Sequence, residues 1–198
     1  VRIGAWATPT GLEDATSNTE ALFHERAAVA DLVRGMAGGD GRSGIGLFMN
    51  GRRWAANAVV TGGVVGTSGQ FDEQTGLLLR ASTLAYDGGT GRGLVLGLSY
   101  NAILEPADTD SGTADQRRVR LRERPELRVD GLRLVDTGSI PADGAAAVGL
   151  EAAGWFGPLY LASEYFQIDI DRTGAGIDPG CSGWYLQGAG TLTADTRR

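Results

Sequence analysis

Four arginines, Arg118, Arg120, Arg122 and Arg124, recur at every second position in the run RRVRLRERPELR, Arg117–Arg128. On an extended backbone successive side chains point to opposite faces, so these four guanidinium groups project from one side of a strand. The chemistry open to such a row is non-covalent. Each group stays charged at any relevant pH, and its planar fork fits phosphate or carboxylate oxygens bidentately. Closely spaced positive charges in a narrow passage of low dielectric lower the entry barrier for an anion and pass it from site to site. The same spacing also has a purely structural use, because alternating charges on a solvated edge strand oppose aggregation. A lipid-facing position is excluded, since each charge would cost about 2–4 kcal/mol near the bilayer midplane. In a membrane barrel this face must look into the water-filled lumen.

Other constellations are weaker. His24 is the only histidine, so any Ser-His-Asp or Cys-His arrangement would have to use it, and the acid beside it, Glu25, is merely adjacent in sequence. The residues therefore read as no enzyme, with no catalytic site. Metal centres need clustered ligands, and none are clustered here. Asp169-Ile170-Asp171 with Gly174 and Asp178 faintly resembles a calcium loop but lacks the acid at the fifth position and the closing Glu. No metal or other cofactor is expected. The glycine clusters at Gly35–Gly46 and Gly88–Gly93 do not lead from a buried strand into a helix, which disfavours a phosphate-cradling loop. Cys181 is the single cysteine, so no internal disulfide exists. All 18 basic residues are arginine against 24 acids, for a net charge of −6, a balance unlike that of a nucleic-acid binder.

The elements that must position the arginines read as strands. With 32 glycines in 198 residues, and few long amphipathic stretches, the chain is all-β with many turns. Val1–Thr8 is a strand ended by Pro9. Residues 11–42 form a loop with one short helix, predicted over Glu20–Arg34 with Ser17 or Asn18 as its cap and Gly35, Gly38 and Gly39 as its stop. Antiparallel strands fill residues 43–198. One hairpin joins Ser43–Asn50 to Trp54–Gly62, and a second joins Thr75–Asp87 to Gly93–Glu105. After a polar loop and the arginine stretch, a short strand is predicted at Leu132–Val135. Three long strands follow, Ala145–Phe156 and the two arms of Trp155–Thr193.

Alternation of this kind suits two architectures. A membrane barrel turns its apolar residues outward, whereas a soluble β-sandwich, binding a glycan or a protein partner, turns them inward. Strand length and the unequal connections favour the barrel. So do Tyr86, Tyr100, Trp155, Tyr165 and Trp184, several of which lie near strand ends, as girdle residues would. In Leu159–Ile170 the apolar set changes parity near Tyr165-Phe166, which predicts either a bulge there or a failure of the face assignment along this strand. No stretch is apolar and long enough for a membrane helix. Val1-Arg2-Ile3-Gly4 lacks a signal peptide. Yet Val1 stands within a strand pattern without an initiator Met, as in a piece of a longer chain, so the missing signal carries little weight.

Three separate segments carry a family likeness: VRIGAWATPTGLEDATSNTEALFHERA, the arginine-rich stretch, and GLEAAGWFGPLYLASEYFQIDID with SGWYLQGAGTLT. Together they resemble the phosphate-selective porin O and P family of outer-membrane channels, in the family's order and over most of the chain. The resemblance implies an antiparallel transmembrane barrel of about 16 strands, of which about nine are visible here, assembled as a homotrimer in the bacterial outer membrane. It implies passive diffusion of phosphate, polyphosphate or other small anions. It also implies that Arg118, Arg120, Arg122 and Arg124 are the family's arginine ladder, and that Arg26 is a basic position in the segment narrowing the pore, which makes residues 11–42 a candidate constriction. The family's phosphate-selective members also carry constriction lysines, one in the segment aligned with Leu12–Asn18; this chain has Asp14 there and no lysine anywhere. A general anion or small-solute pore is equally compatible with that departure.

Overall fold

A computed structural model describes residues 1–17, 19–66, 73–108, 117–124 and 132–192. In chain order the elements are β1 (Arg2–Thr8), α1 (Leu12–Ala15), α2 (Ala28–Ala37), β2 (Gly39–Asn50), β3 (Trp54–Val64), β4 (Thr75–Asp87), β5 (Arg92–Glu105), β6 (Arg118–Val119), β7 (Arg122–Glu123), β8 (Val135–Asp136), β9 (Ile140–Phe156), β10 (Leu159–Arg172) and β11 (Gly180–Gly190). The main sheet runs β1-β2-β3-β4-β5-β9-β10-β11, with β6 added on β9 and every pairing antiparallel. It is open, with β1 and β11 at its edges. From β2 onward its long strands hold 11 to 17 residues, enough for a tilted bilayer crossing, which takes about 9–11.

The connections alternate. Gly51–Arg53, Gly88–Gly91 and Gly157-Pro158 are short turns at one end of the sheet, while the links from β1 to β2, β3 to β4, β5 to β9 and β10 to β11 at the other end are longer. That asymmetry matches the short periplasmic turns and longer extracellular loops of outer-membrane barrels.

The two faces differ in kind. One displays Ile45, Leu47, Met49, Val60, Leu79, Leu94, Leu96, Leu98, Leu150 and Leu161, all exposed. The other carries the buried polar residues Thr61, Ser99, Asn101, Glu151 and Glu164, and both helices pack on it. A sandwich would need a second sheet over the apolar face; among the described residues nothing covers it. The apolar side is therefore the lipid side, and the helix-bearing side is the lumen. Tyr86, Tyr165 and Trp184 are exposed on the outer face. Trp155 departs from the girdle expectation, because its register beside Gly93 and its parity with Glu151 and Ala153 turn it to the lumenal face.

The parity change in β10 is the second of the two predicted outcomes, a failure of the face assignment rather than a bulge. Pairing with β9 and β11 is continuous from Leu159 to Asp169, so no bulge interrupts it and no face reverses. Instead Phe166, Ile168 and Ile170, buried on the lumenal face, join a cluster with Ala30, Leu32, Val33 and Met36 of α2. Where a helix covers the lumenal wall, that wall becomes apolar by the ordinary logic of burial. Gly149 contributes space to this packing: a Cβ there would overlap the Phe166 ring.

The helix is also displaced from its predicted span, since α2 covers Ala28–Ala37 rather than Glu20–Arg34. It has no side-chain cap of its own. Its carbonyl end is satisfied from the wall: Thr61 Oγ1 donates to Ala37 O at 2.8 Å, Gln74 Nε2 to Met36 O at 2.7 Å, and the Arg42 guanidinium to the carbonyls of Met36 and Gly38. These bonds answer carbonyls that a helix end leaves orphaned. Ser17 instead accepts from the Thr19 amide, and Asn18 lies outside the described residues.

Candidate functional site

Two groups of charged residues stand out. The first binds the segment between β1 and β2 to the wall. Glu164, on β10 and 1% exposed, accepts hydrogen bonds from the Leu12 amide at 2.7 Å, the Glu13 amide at 3.1 Å and the Tyr185 hydroxyl at 2.6 Å. Gly11 allows this approach, because a Cβ there would overlap the carboxylate. Glu13 in turn accepts from the Ala27 amide at 2.9 Å, which ties α1 to the start of α2. Asp14 accepts from the Thr10 amide at 3.1 Å and from Arg34 Nε at 2.8 Å. Across β5, Arg80 of β4 grips Glu151 of β9 through Nε and Nη2 at 2.8 and 2.7 Å, with only 12% and 1% of the two side chains exposed. Buried charges are tolerable when paired in this way.

Arg26 belongs to this group. Its Nε lies 3.4 Å from Asp14 and its Nη1 3.9 Å from Asp31, and 28% of its side chain remains exposed. Asp14, which stands where the resemblance implied a lysine, has only 4% of its side chain exposed and is shared between Arg26 and Arg34. It thus offers little free negative charge to a pore.

The second group is the arginine row. The stretch forms two short strands rather than the one long strand predicted: β6 pairs with the start of β9, and β7 pairs with β8. Arg128 lies outside the described residues, and the strand predicted at Leu132–Val135 is reduced to β8. The alternation survives the break. Val119 and Leu121 are buried, 3% and 4% exposed, in the same cluster as α2, whereas Arg118, Arg120, Arg122 and Arg124 are all exposed. Two apolar anchors thus hold the row against the lumenal helix and turn its charges to solvent.

One carboxylate answers these charges. Arg120 Nε and Nη2 donate to Asp136 at 2.8 and 2.6 Å, and Arg133 Nε lies 3.6 Å from the same carboxylate. Among the described residues no carboxylate pairs with Arg118, Arg122 or Arg124. The hydrogen bond from Arg120, then that from the Gly138 amide, holds the Asp136 carboxyl well below the ordinary carboxylate range. Desolvation first, and then the nearby charges of Arg124 and Arg122, lower Arg133. The row is therefore a zone of net positive charge to which Arg133 contributes.

Arg133, Asp136, Glu151 and Glu164 were not singled out by sequence reasoning. For the two glutamates a signal existed, because each occupies the lumenal parity in a strand of small and apolar residues, in GLEAAGW and LASEYF. Asp136 and Arg133 offered no comparable signal, since they meet the row only through the β7–β8 pairing.

His24 and Cys181 are exposed, and Asp169 and Asp171 face solvent at the end of β10. Among the described residues no group of His, Cys, Asp and Glu could hold a metal ion. No helix is long and apolar enough to cross a membrane, which says nothing against crossing by strands. Compared with known proteins, the family model described as phosphate-selective porin O and P matches residues 1–198. No curated protein matches.

Proposed function

Because the chain belongs to the phosphate-selective porin O and P family, whose members are outer-membrane porins of bacteria, we propose that Arg118, Arg120, Arg122 and Arg124 are the anion path of its pore. The observation that supports this reading is the split in one short stretch: Val119 and Leu121 are buried in the cluster of α2 while the four arginines between and around them are exposed to solvent. A row of cations with a single shared carboxylate draws anions in and repels cations, and the neighbouring forks offer each phosphate oxygen a next partner. Arg26, held by Asp14 and Asp31, adds positive charge at the inward segment, and residues 11–42 narrow the passage. Phosphate is the solute class, and polyphosphate, with several phosphates in line, suits a row of arginines better than a single site. The assembly is a homotrimer in outer-membrane lipid, and transport is passive, with no catalytic step.

Planar-bilayer recording tests the path. Replacing Arg120 and Arg122 together by Glu (Arg120→Glu, Arg122→Glu) reverses two of the row's charges, and the reversal potential in a salt gradient is expected to move from anion-preferring to neutral or cation-preferring. An unchanged reversal potential in a channel of normal open-state lifetime sinks the assignment.

A further inference from the structure

The outer face carries a furrow that the pore does not use. Along β9 the outward positions Ala152 and Gly154 are small, and they lie between Leu94 and Leu96 on β5 and Leu161 on β10. Small residues flanked by leucines leave a cleft of about 450 Å³, closed on its far side by Leu186 of β11. This volume falls in the range of small-molecule clefts. The cleft lies at the end of the sheet where Gly88–Gly91 and Gly157-Pro158 make short turns, the periplasmic end of an outer-membrane barrel.

At that end the cleft has a charged rim. Arg92 lies over the Phe156 ring, 4.3 Å from its centroid, and among the described residues no carboxylate pairs with it. An arginine held in place by an aromatic ring at the membrane boundary, above an apolar furrow, has the two parts a phospholipid needs. The guanidinium takes the phosphate bidentately, and the furrow takes an acyl chain out of contact with looser neighbours. Tyr86, 52% exposed beside the same rim, is of the type that settles at headgroup depth.

We propose that this furrow is a binding site for one phospholipid of the periplasmic leaflet, with its phosphate on Arg92 and an acyl chain along Ala152 and Gly154. The site rests on the reading that the apolar face meets lipid, but not on which residues conduct.

Native mass spectrometry of the intact protein in detergent, titrated with phosphatidylglycerol, tests the site alongside bilayer recording of the same samples. Arg92→Gln, which removes the charge, is expected to weaken retention of one lipid about tenfold, as loss of a charged hydrogen bond would, and Ala152→Leu, which fills the furrow, to weaken it to a similar extent by displacing the acyl chain. Arg172→Gln, at the opposite end of β10, is expected to retain it as the native protein does, and all three are expected to conduct normally. Undiminished retention in Arg92→Gln and Ala152→Leu channels of normal conductance overturns the site and leaves the porin reading standing. If Ala152→Leu instead lowers the number of protein copies per complex without changing lipid retention, the furrow is a subunit interface and the lipid assignment falls. A native protein that forms no channels overturns the porin reading and the site with it.

Discussion

Two groups of arginines and carboxylates stand out in this fold, one in the main sheet and its inward segment and one on β6 to β8, and they differ in nearly every respect but composition. In the wall group each buried charge is answered: Arg80 by Glu151, Arg34 by Asp14, and Glu164 by two amides and a hydroxyl. In the row, only Arg120 has a carboxylate, which it shares with Arg133, and all four stand in solvent. The difference teaches that location, not residue type, decides which charges are paired. A charge inside the wall is tolerated only when paired, since desolvation is costly. A charge in solvent keeps its hydration and can remain unpaired, which leaves it open to a soluble anion.

Removing one partner inside the wall should have the largest effect. Arg80→Met leaves Glu151, only 4% exposed, without its cation. A loss of about 3–5 kcal/mol of stability is expected from an uncompensated buried charge, read as a lower midpoint of urea unfolding in lipid vesicles. Replacing both partners, Arg80→Met with Glu151→Leu, should recover most of that loss. If the single variant is as stable as the native protein, the wall group is not distinguished by burial and the comparison fails.

The link between wall and inward segment comes next. Glu164→Ala strands the Leu12 and Glu13 amides and the Tyr185 hydroxyl, and hydrogen bonds to charged groups contribute about 1.5–3 kcal/mol each. Because these bonds join α1 to β10 rather than strand to strand, the sheet should persist while the segment loosens. The expected result is a channel with noisier and larger single-channel currents and an unchanged sign of selectivity. Quiet currents of native size would show that the segment is held by the apolar packing of α2 alone.

The same contrast explains what the sequence disclosed. Strands were legible because alternation over a dozen residues is a local pattern, and the common face of the four arginines follows from that period alone. The position of α2 was not. Its start has no side-chain cap, and the Ala27 amide just ahead of it donates instead to Glu13 of α1, so a search for a cap near Ser17 looked for a local signal where the bond is tertiary. The apolar lumenal run Phe166, Ile168 and Ile170 read as an irregularity for the same reason, since nothing in β10 announces that a helix from residues 28–37 lies over it. The arginine stretch read as one strand because its period is unbroken, yet β6 and β7 find different partners. Pairing partners, unlike periodicity, are set by chain path.

The smallest expected effect sharpens the comparison from the side of the row, through Asp136. This carboxylate is the one place where the row is paired as the wall is, so Asp136→Asn should release Arg120 and raise anion preference modestly, by a few millivolts of reversal potential at low salt, with little change in stability because the pair is solvent-screened. The pH dependence follows from the direction of its shift. A carboxyl whose folded pKa is depressed keeps its interaction above the ordinary value and loses it only as pH falls through the lowered one, and Arg120 holds Asp136 below the ordinary range. The difference in reversal potential between native and Asp136→Asn channels should therefore stay constant from neutral pH down to about 4.5, just above the ordinary Asp value of about 3.9, and close only in stronger acid. A difference that already shrinks between pH 6 and about 4.5, where an unperturbed Asp begins to protonate, would mean that Arg120 is not bound to Asp136 in the conducting channel and is as free as its three neighbours.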